Sequence, residues 1–335
     1  MTAAASAAGP LLDVRDLRVT FATDDGPVIA VKDVSFTLER GEILALVGES
    51  GCGKSVTAMA VPRLLPDGDV TVEGTVTLDG VELTSLPEQR MQELRGKDVS
   101  VVFQEPMTSL NPAYTIGRQI GEVLQQHERL SRRQVRERTV ELLALVGMPD
   151  ARRRADSFPH QLSGGMRQRV MIAIAVACNP KVLIADEPTT ALDVTVQAGV
   201  LDVIRKLRDE LGTAVVLITH DLGVVADVAD RVVVMYAGRR VEQAPVAEVF
   251  ARPQHPYTVG LLGALPGRAR LVDGRRRLTE IPGLVPAPTS DPDECQFHPR
   301  CPRATEACRG TRPLLEPKQA GHLAACHHPG PGGIQ

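Results

Sequence analysis

The apolar run Ile43-Leu44-Ala45-Leu46-Val47, followed at once by Gly48-Glu49-Ser50-Gly51-Cys52-Gly53-Lys54-Ser55, constrains this 335-residue chain more than any other stretch. The eight residues fit G-x-x-x-x-G-K-[ST], and they stand between an expected strand and an expected helix, as that pattern requires. Glycines at 48, 51 and 53 let the backbone turn so that successive N–H groups face inward, and a helix opening near Lys54 adds the positive end of its dipole. Such a cup holds phosphate. Gly48, Glu49, Ser50, Gly51, Cys52 and Gly53 form its wall, Lys54 reaches β- and γ-phosphate oxygens, and the Ser55 hydroxyl is placed to ligate magnesium.

A second apolar run, Val182-Leu183-Ile184-Ala185, reads as a buried strand that delivers Asp186 and Glu187 at its end. Asp186 is suited to hold magnesium through its water shell, and Glu187 to orient and polarise an attacking water. Asp193 follows as the cap of a helix whose apolar positions Val196, Val200, Val203, Leu207 and Leu211 repeat at helical spacing. It is counted with the nucleotide-contacting positions. Between the two strands lies Leu162-Ser163-Gly164-Gly165-Met166-Arg167-Gln168-Arg169, a second phosphate-contacting device that opens another helix.

In this order and spacing, the motifs make residues 11–265 resemble the nucleotide-binding subunit of an ABC transporter. The resemblance implies a P-loop α/β fold with a helical subdomain over about 107–178, and ATP hydrolysis with Mg2+. It also implies that Gln104, in Phe103-Gln104-Glu105-Pro106, senses magnesium and γ-phosphate, and that His220, in Thr219-His220-Asp221, contacts the γ-phosphate. Ser163, Gly164 and Gly165 of one subunit would close over ATP held by the phosphate loop of another. Phe21 is the candidate for stacking on adenine by its position, with a core phenylalanine as the alternative. There is no second G-x-x-x-x-G-K-[ST], so the partner ATPase is another polypeptide, either a copy or a relative.

Charge and hydropathy exclude other classes. The formal net charge is −3. Arginines cluster at 132–138, 152–154 and 275–277, but acids surround them and no aromatics interleave, so nucleic acid is not an expected partner. The longest apolar run, Val170–Cys178, is far short of the ~20 residues that cross a bilayer. Residues 1–10 lack the features of a secretion signal and read as a flexible leader, which places the protein in the cytosol. Strands are expected over 12–20, 28–47, 181–186 and 213–219, in a parallel α/β sheet. Ser131 and Gln134 form a capping box ahead of a helix with Val135, Thr139, Leu142 and Val146 on one face.

After His255-Pro256-Tyr257-Thr258 and a linker rich in proline and arginine, residues 266–335 read as a small extension with four of the six cysteines. Cys295, Cys301, Cys308 and Cys326 are separated by five, six and seventeen residues. In a cytosolic protein, four thiols in a loop-rich tail suit a 4Fe-4S cluster or a structural Zn2+, with His298, His322, His327 and His328 as possible substitutes in a mixed set. Unligated thiols are the third option. Cys52 reads as a tolerated small residue whose modification blocks nucleotide entry. The extension, together with Phe103–Pro112 and the His-Pro-Tyr segment, is similar to the oligopeptide and dipeptide importer subfamily. That resemblance implies two permease subunits, a second ATPase subunit and an extracellular solute-binding protein, at the inner face of the cell membrane. The solute is a peptide, or nickel or another small solute as in close relatives. From another class, a soluble ABC ATPase of DNA repair or translation is the rival reading.

Overall fold

The computed structural model describes residues 9–66, 68–105, 109–190, 193–265, 270–272, 275–277, 280–289 and 291–330. Most of the leader, residues 106–108 of the motif after Gln104, and Ala191 and Leu192 lie outside them. The chain forms two compact units. One consists mainly of Leu78–Ile218, with Leu38–Ile43. The other holds Asp13–Thr37, Leu44–Thr77 and everything from Thr219 onward.

The first unit is built on three parallel strands, with Val182–Asp186 paired on one side to Val99–Val102 and on the other to Ala214–Ile218. All five residues of Val182–Asp186 are buried, which explains the unbroken apolar run: a strand covered on both faces has no polar alternation. Helices follow at Ile116–His127, Arg132–Leu145, Ala151–Ala155, Gly164–Ala175 and Val194–Leu211. The capping box is present as expected: the Ser131 hydroxyl accepts from the Gln134 N–H, and the Gln134 side chain returns to the Ser131 N–H. Asp193 accepts from the Val196 N–H at 2.9 Å, capping its helix. The buried face of that helix differs from the expected one. Leu201 and Ile204 join Val200, Val203 and Leu207 inside, whereas Val196 is half-buried and Leu211 is exposed.

In the second unit, Leu12–Thr23 lies between Gly26–Leu38 and Val70–Leu78. The single strand expected over 28–47 is broken, because Gly41 adopts a left-handed φ of 67° in a turn before Ile43–Val47 resumes. Ile43–Val47 pairs in parallel with Arg231–Tyr236, which pairs antiparallel with Arg239–Pro245. Residues 316–324 are no loose tail. His322–Ala324 pairs with Arg239–Pro245, setting Glu242 opposite Ala324, and Glu316–Gln319 pairs in turn with His322–Ala324. Glu242 is fully buried, where it accepts the N–H groups of Gln254 at 2.7 Å and His255 at 2.9 Å and faces His322 Nε2 at 2.6 Å. Around it, Phe297 packs edge to face with Tyr236 and Tyr257, which are tilted against each other, with ring centroids 4.7 to 5.5 Å apart. Among the described residues, no helix is long and apolar enough to cross a membrane.

Candidate functional site

The phosphate loop lies in the second unit. Its glycines answer to sterics as well as to ligand approach. A Cβ on Gly48, at φ 153°, would lie 2.3 Å from the Met235 carbonyl oxygen, and one on Gly53, at φ 96°, would lie 2.4 Å from that of Ala30. The helix Lys54–Ala60 opens directly from Gly53. Lys54 is buried, and its ammonium donates to the carbonyls of Gly48 at 2.9 Å and Glu49 at 3.0 Å. Ser50, Gly51 and Ser55 are exposed along the rim.

Two loop residues are also tied into the protein itself. The Glu49 N–H donates to the Tyr257 hydroxyl at 2.8 Å, and its carboxylate receives Arg300 Nη1 at 2.7 Å and Nη2 at 3.0 Å. Glu49 is therefore an anchor of the loop, with its polar atoms committed to protein partners. Cys52 is fully buried, and burial pushes its thiol up, so reagents that need a thiolate react slowly there. Ready modification at Cys52 is not what this environment provides. His220, the first residue after Thr219, is exposed, while Asp221 caps the helix Leu222–Val228 through the Gly223 N–H at 2.8 Å. Phe21 is half-buried on Leu12–Thr23 and is not part of the core.

The carboxylates lie in the first unit. Asp186 is buried at the end of its strand. Glu187 turns off that strand with a left-handed φ of 46°, held by its N–H to the Ile218 carbonyl at 2.9 Å. For a residue with a Cβ this backbone costs on the order of 1 kcal/mol or more, and it re-aims the side chain. Gln104 Nε2 donates to Glu187 Oε2 at 3.0 Å, and the Thr190 hydroxyl donates to the same oxygen at 2.8 Å. Residues 83 positions apart thus meet at one oxygen, and Thr190 is a contact that the sequence reading missed. Ser163 caps the helix Gly164–Ala175 by accepting the Met166 N–H at 3.4 Å, and Ser163 and Gly164 are exposed. Gly165 has a packing reason of its own: a Cβ there would lie 2.4 Å from Val196 Cγ1.

The four late cysteines are drawn into one neighbourhood. Cys295 N–H donates to the Cys308 carbonyl at 2.9 Å, and the Cys295 thiol, pushed up to about 11 mainly by burial, also feels Cys308, Cys326 and Cys301. Burial raises Cys301 and Cys326 too. Among the described residues, however, no group of three or more His, Cys, Asp or Glu side chains is arranged to hold a metal ion. The expected cluster is therefore not found as a formed ligand set. Each nearby histidine has one ring nitrogen engaged by the protein: His298 Nδ1 lies 2.9 Å from the Cys295 carbonyl, His327 Nε2 lies 2.9 Å from that of Thr311, and His328 Nε2 lies 2.7 Å from the Thr305 hydroxyl. His322 is paired with Glu242.

Residues 31–190 match the family described as "ABC transporter", and residues 241–308 match "Oligopeptide/dipeptide transporter, C-terminal region". A probable peptide ABC transporter ATP-binding protein of Sinorhizobium fredii is 53% identical over 318 residues, covering 94% of each chain. The oligopeptide transport ATP-binding protein OppD of Salmonella typhimurium is 50% identical over 328 residues, covering 98% of this chain and 96% of its own. Among solved structures, a dimeric ATP-binding cassette in a post-hydrolysis state with ADP and Pi superposes with a TM-score of 0.64 at 29% identity, over 70% of this chain and 98% of that one. A P-loop strand with its glycine cup, a strand ending in Asp186-Glu187, and relatives matched over nearly their whole length lead to one conclusion: the chain belongs to the ATP-binding proteins of ABC transporters, in the group with the oligopeptide/dipeptide transporter C-terminal region.

Proposed function

We propose that this chain is the ATP-hydrolysing subunit that energises peptide import through an ABC transporter. The observation that carries the reading is the meeting of Gln104, Thr190 and Glu187 at one carboxylate oxygen, beside a buried aspartate at a strand end. Glu187 is the residue that orients and polarises water, and Gln104 is placed to report on it. Lys54 and the loop bind the ATP phosphates, Ser55, Asp186 and Gln104 serve Mg2+, and His220 contacts the γ-phosphate. Ser163, Gly164 and Gly165, with Asp193, act on the nucleotide held by a second ATPase subunit, and Phe21 stacks on adenine. In this reading residues 11–265 are the ATPase domain, with a helical subdomain over about 107–178 facing the permeases, and 266–335 are the extension. Two permeases, a paralogous or identical ATPase and an extracellular solute-binding protein complete the machine, with this chain peripheral at the cytoplasmic face of the membrane.

Peptide as solute is supported by the names of the relatives and by the second family match. ATP hydrolysis by the reassembled transporter is expected to rise with peptide-loaded binding protein. Stimulation only by a nickel-loaded one would replace the peptide reading with that of a metal importer.

The four cysteines belong to the same proposal as a metal staple, a 4Fe-4S cluster or zinc. It is supported by N–H donors two residues on, which favour thiolate: Arg303 to Cys301 at 3.4 Å and His328 to Cys326 at 3.3 Å. Protein purified without oxygen is expected to carry about four iron and four sulfide, or one zinc, per chain. Absence of all three would leave unligated thiols.

A further inference from the structure

The C-terminal extension reaches the phosphate loop through two side chains with no role in the reading above. Arg300 ends the short turn His298–Arg300 and is only 6% exposed. Its guanidinium is engaged on every edge. Nε donates to the Pro282 carbonyl at 2.9 Å, and Nη2 to that of Ile281 at 3.2 Å. Nη1 reaches the Tyr236 hydroxyl at 3.4 Å, and the fork closes on both oxygens of Glu49. Tyr257, fully buried at the start of the helix Pro256–Gly263, accepts the Glu49 N–H. Glu49 is thus held at its amide and at its carboxylate, while its carbonyl is an acceptor for Lys54 Nζ.

The chemistry of the loop gives these contacts a purpose. A loop that receives a polyphosphate carries an acid in its own wall, and an unneutralised carboxylate there would repel the incoming charge. A buried, bidentate guanidinium cancels that charge and fixes the carboxylate in one geometry. A displaced Glu49 would also move a carbonyl that Lys54 uses.

We infer that Arg300 and Tyr257 are positioning residues for the phosphate loop, so that the C-terminal extension sets the loop's affinity for nucleotide phosphates. The inference rests on the assignment of Gly48–Ser55 as the ATP-phosphate site. It gives the His-Pro-Tyr segment a direct role, because His255 Nδ1 accepts the Tyr257 N–H at 3.1 Å and Pro256 opens the helix, which together aim the tyrosine hydroxyl at the loop.

The test is the dissociation constant of a fluorescent ATP analogue for the full chain, with thermal melts alongside. Arg300→Ala is expected to weaken binding about tenfold, as loss of one charge-assisted contact predicts. Adding Glu49→Gln to Arg300→Ala should restore most of the affinity, because the repelling charge goes with its partner. Arg300→Lys should fall between. Wild-type affinity in a folded Arg300→Ala protein would overturn the inference, as would a double variant no better than the single, since Arg300 would then act without Glu49. If Arg300→Ala does not fold, Tyr257→Phe removes a single hydroxyl and should weaken binding about threefold. No change there would equally overturn it. Lys54→Ala separates the assignments: if it binds the analogue like wild type, the phosphate-loop reading itself fails, whatever Arg300 does.

Discussion

Two buried strands, Ile43–Val47 and Val182–Asp186, each lead into a glutamate within a motif, and the two glutamates are held in opposite ways. Glu49 is gripped by a guanidinium whose side chain is 4% exposed, and the amide of Glu49 is tied to a buried tyrosine. Glu187 sits on a left-handed backbone with one carboxylate oxygen held by a neutral amide and a hydroxyl. A bidentate ion pair fixes a group in place, whereas neutral hydrogen bonds of about 1 kcal/mol each orient a carboxylate and still let it exchange partners. Glu49, ion-paired on both oxygens, suits a scaffold, and Glu187, with Gln104 and Thr190 converging on one oxygen, suits chemistry on a water molecule.

The largest effect should separate these two residues. Glu187→Gln is expected to lower turnover of ATP by roughly 10²- to 10⁴-fold, the usual contribution of a general base, while nucleotide affinity persists. Glu49→Gln should leave turnover at saturating ATP within a few-fold. Steady-state phosphate release on both variants checks this, and equal losses at the two positions would break the comparison.

Next is the core that carries Tyr257 and Arg300. Glu242→Ala leaves the Gln254 and His255 amides and His322 without their buried partner, so a loss of about 3–5 kcal/mol in denaturant unfolding is expected. A loss below about 1 kcal/mol, the worth of one ordinary hydrogen bond, would mean Glu242 is not the buried hub of that core. Acid should act at the same place. Burial holds His255 neutral, pushing it down to about 4 from 6.5, against a smaller opposing pull from Glu242. The unfolded chain takes up that proton first, so its contribution is full above about pH 6.5 and stability falls by up to about 3 kcal/mol as pH drops toward 4. His255→Asn, which can still cap the helix, should flatten that slope in a pH series of melts.

Smaller effects sharpen the other side. Gly165→Ala should cost about 1–3 kcal/mol through its clash with Val196, with Val196→Ala relieving it. Relief by Val196→Ala that restores ATPase along with stability would assign Gly165 to packing alone. Asp193→Ala should cost about 1 kcal/mol by removing a cap, read from thermal melts.

Local chemistry was legible in the sequence where contacts are near in the chain. The strand, glycine loop and helix at 43–60, the Ser131–Gln134 box and the Asp193 cap all depend on neighbours within a few residues. The Gly41 turn is also local, but a single glycine between two apolar runs does not declare its φ. What was not legible is long-range. Arg300 and Glu49 are 251 positions apart, and no periodicity links them. The strand Glu316–Gln319, Glu-Pro-Lys-Gln, has neither alternation nor β-branched residues, so pairing with His322–Ala324 and not local preference makes it a strand. The tail read as loop-rich for that reason, and its aromatic anchor, Phe297, gives no sign in sequence that it packs on Tyr236 and Tyr257.

The most direct test of the central claim is ATP-driven peptide uptake into vesicles bearing the reassembled transporter, with wild-type or Glu187→Gln protein as this subunit. Hydrolysis at this chain as the source of transport energy predicts robust uptake with the wild type and loss of most of it with Glu187→Gln, with ATP still bound. Undiminished uptake with Glu187→Gln would contradict the account and place the working ATPase elsewhere in the complex.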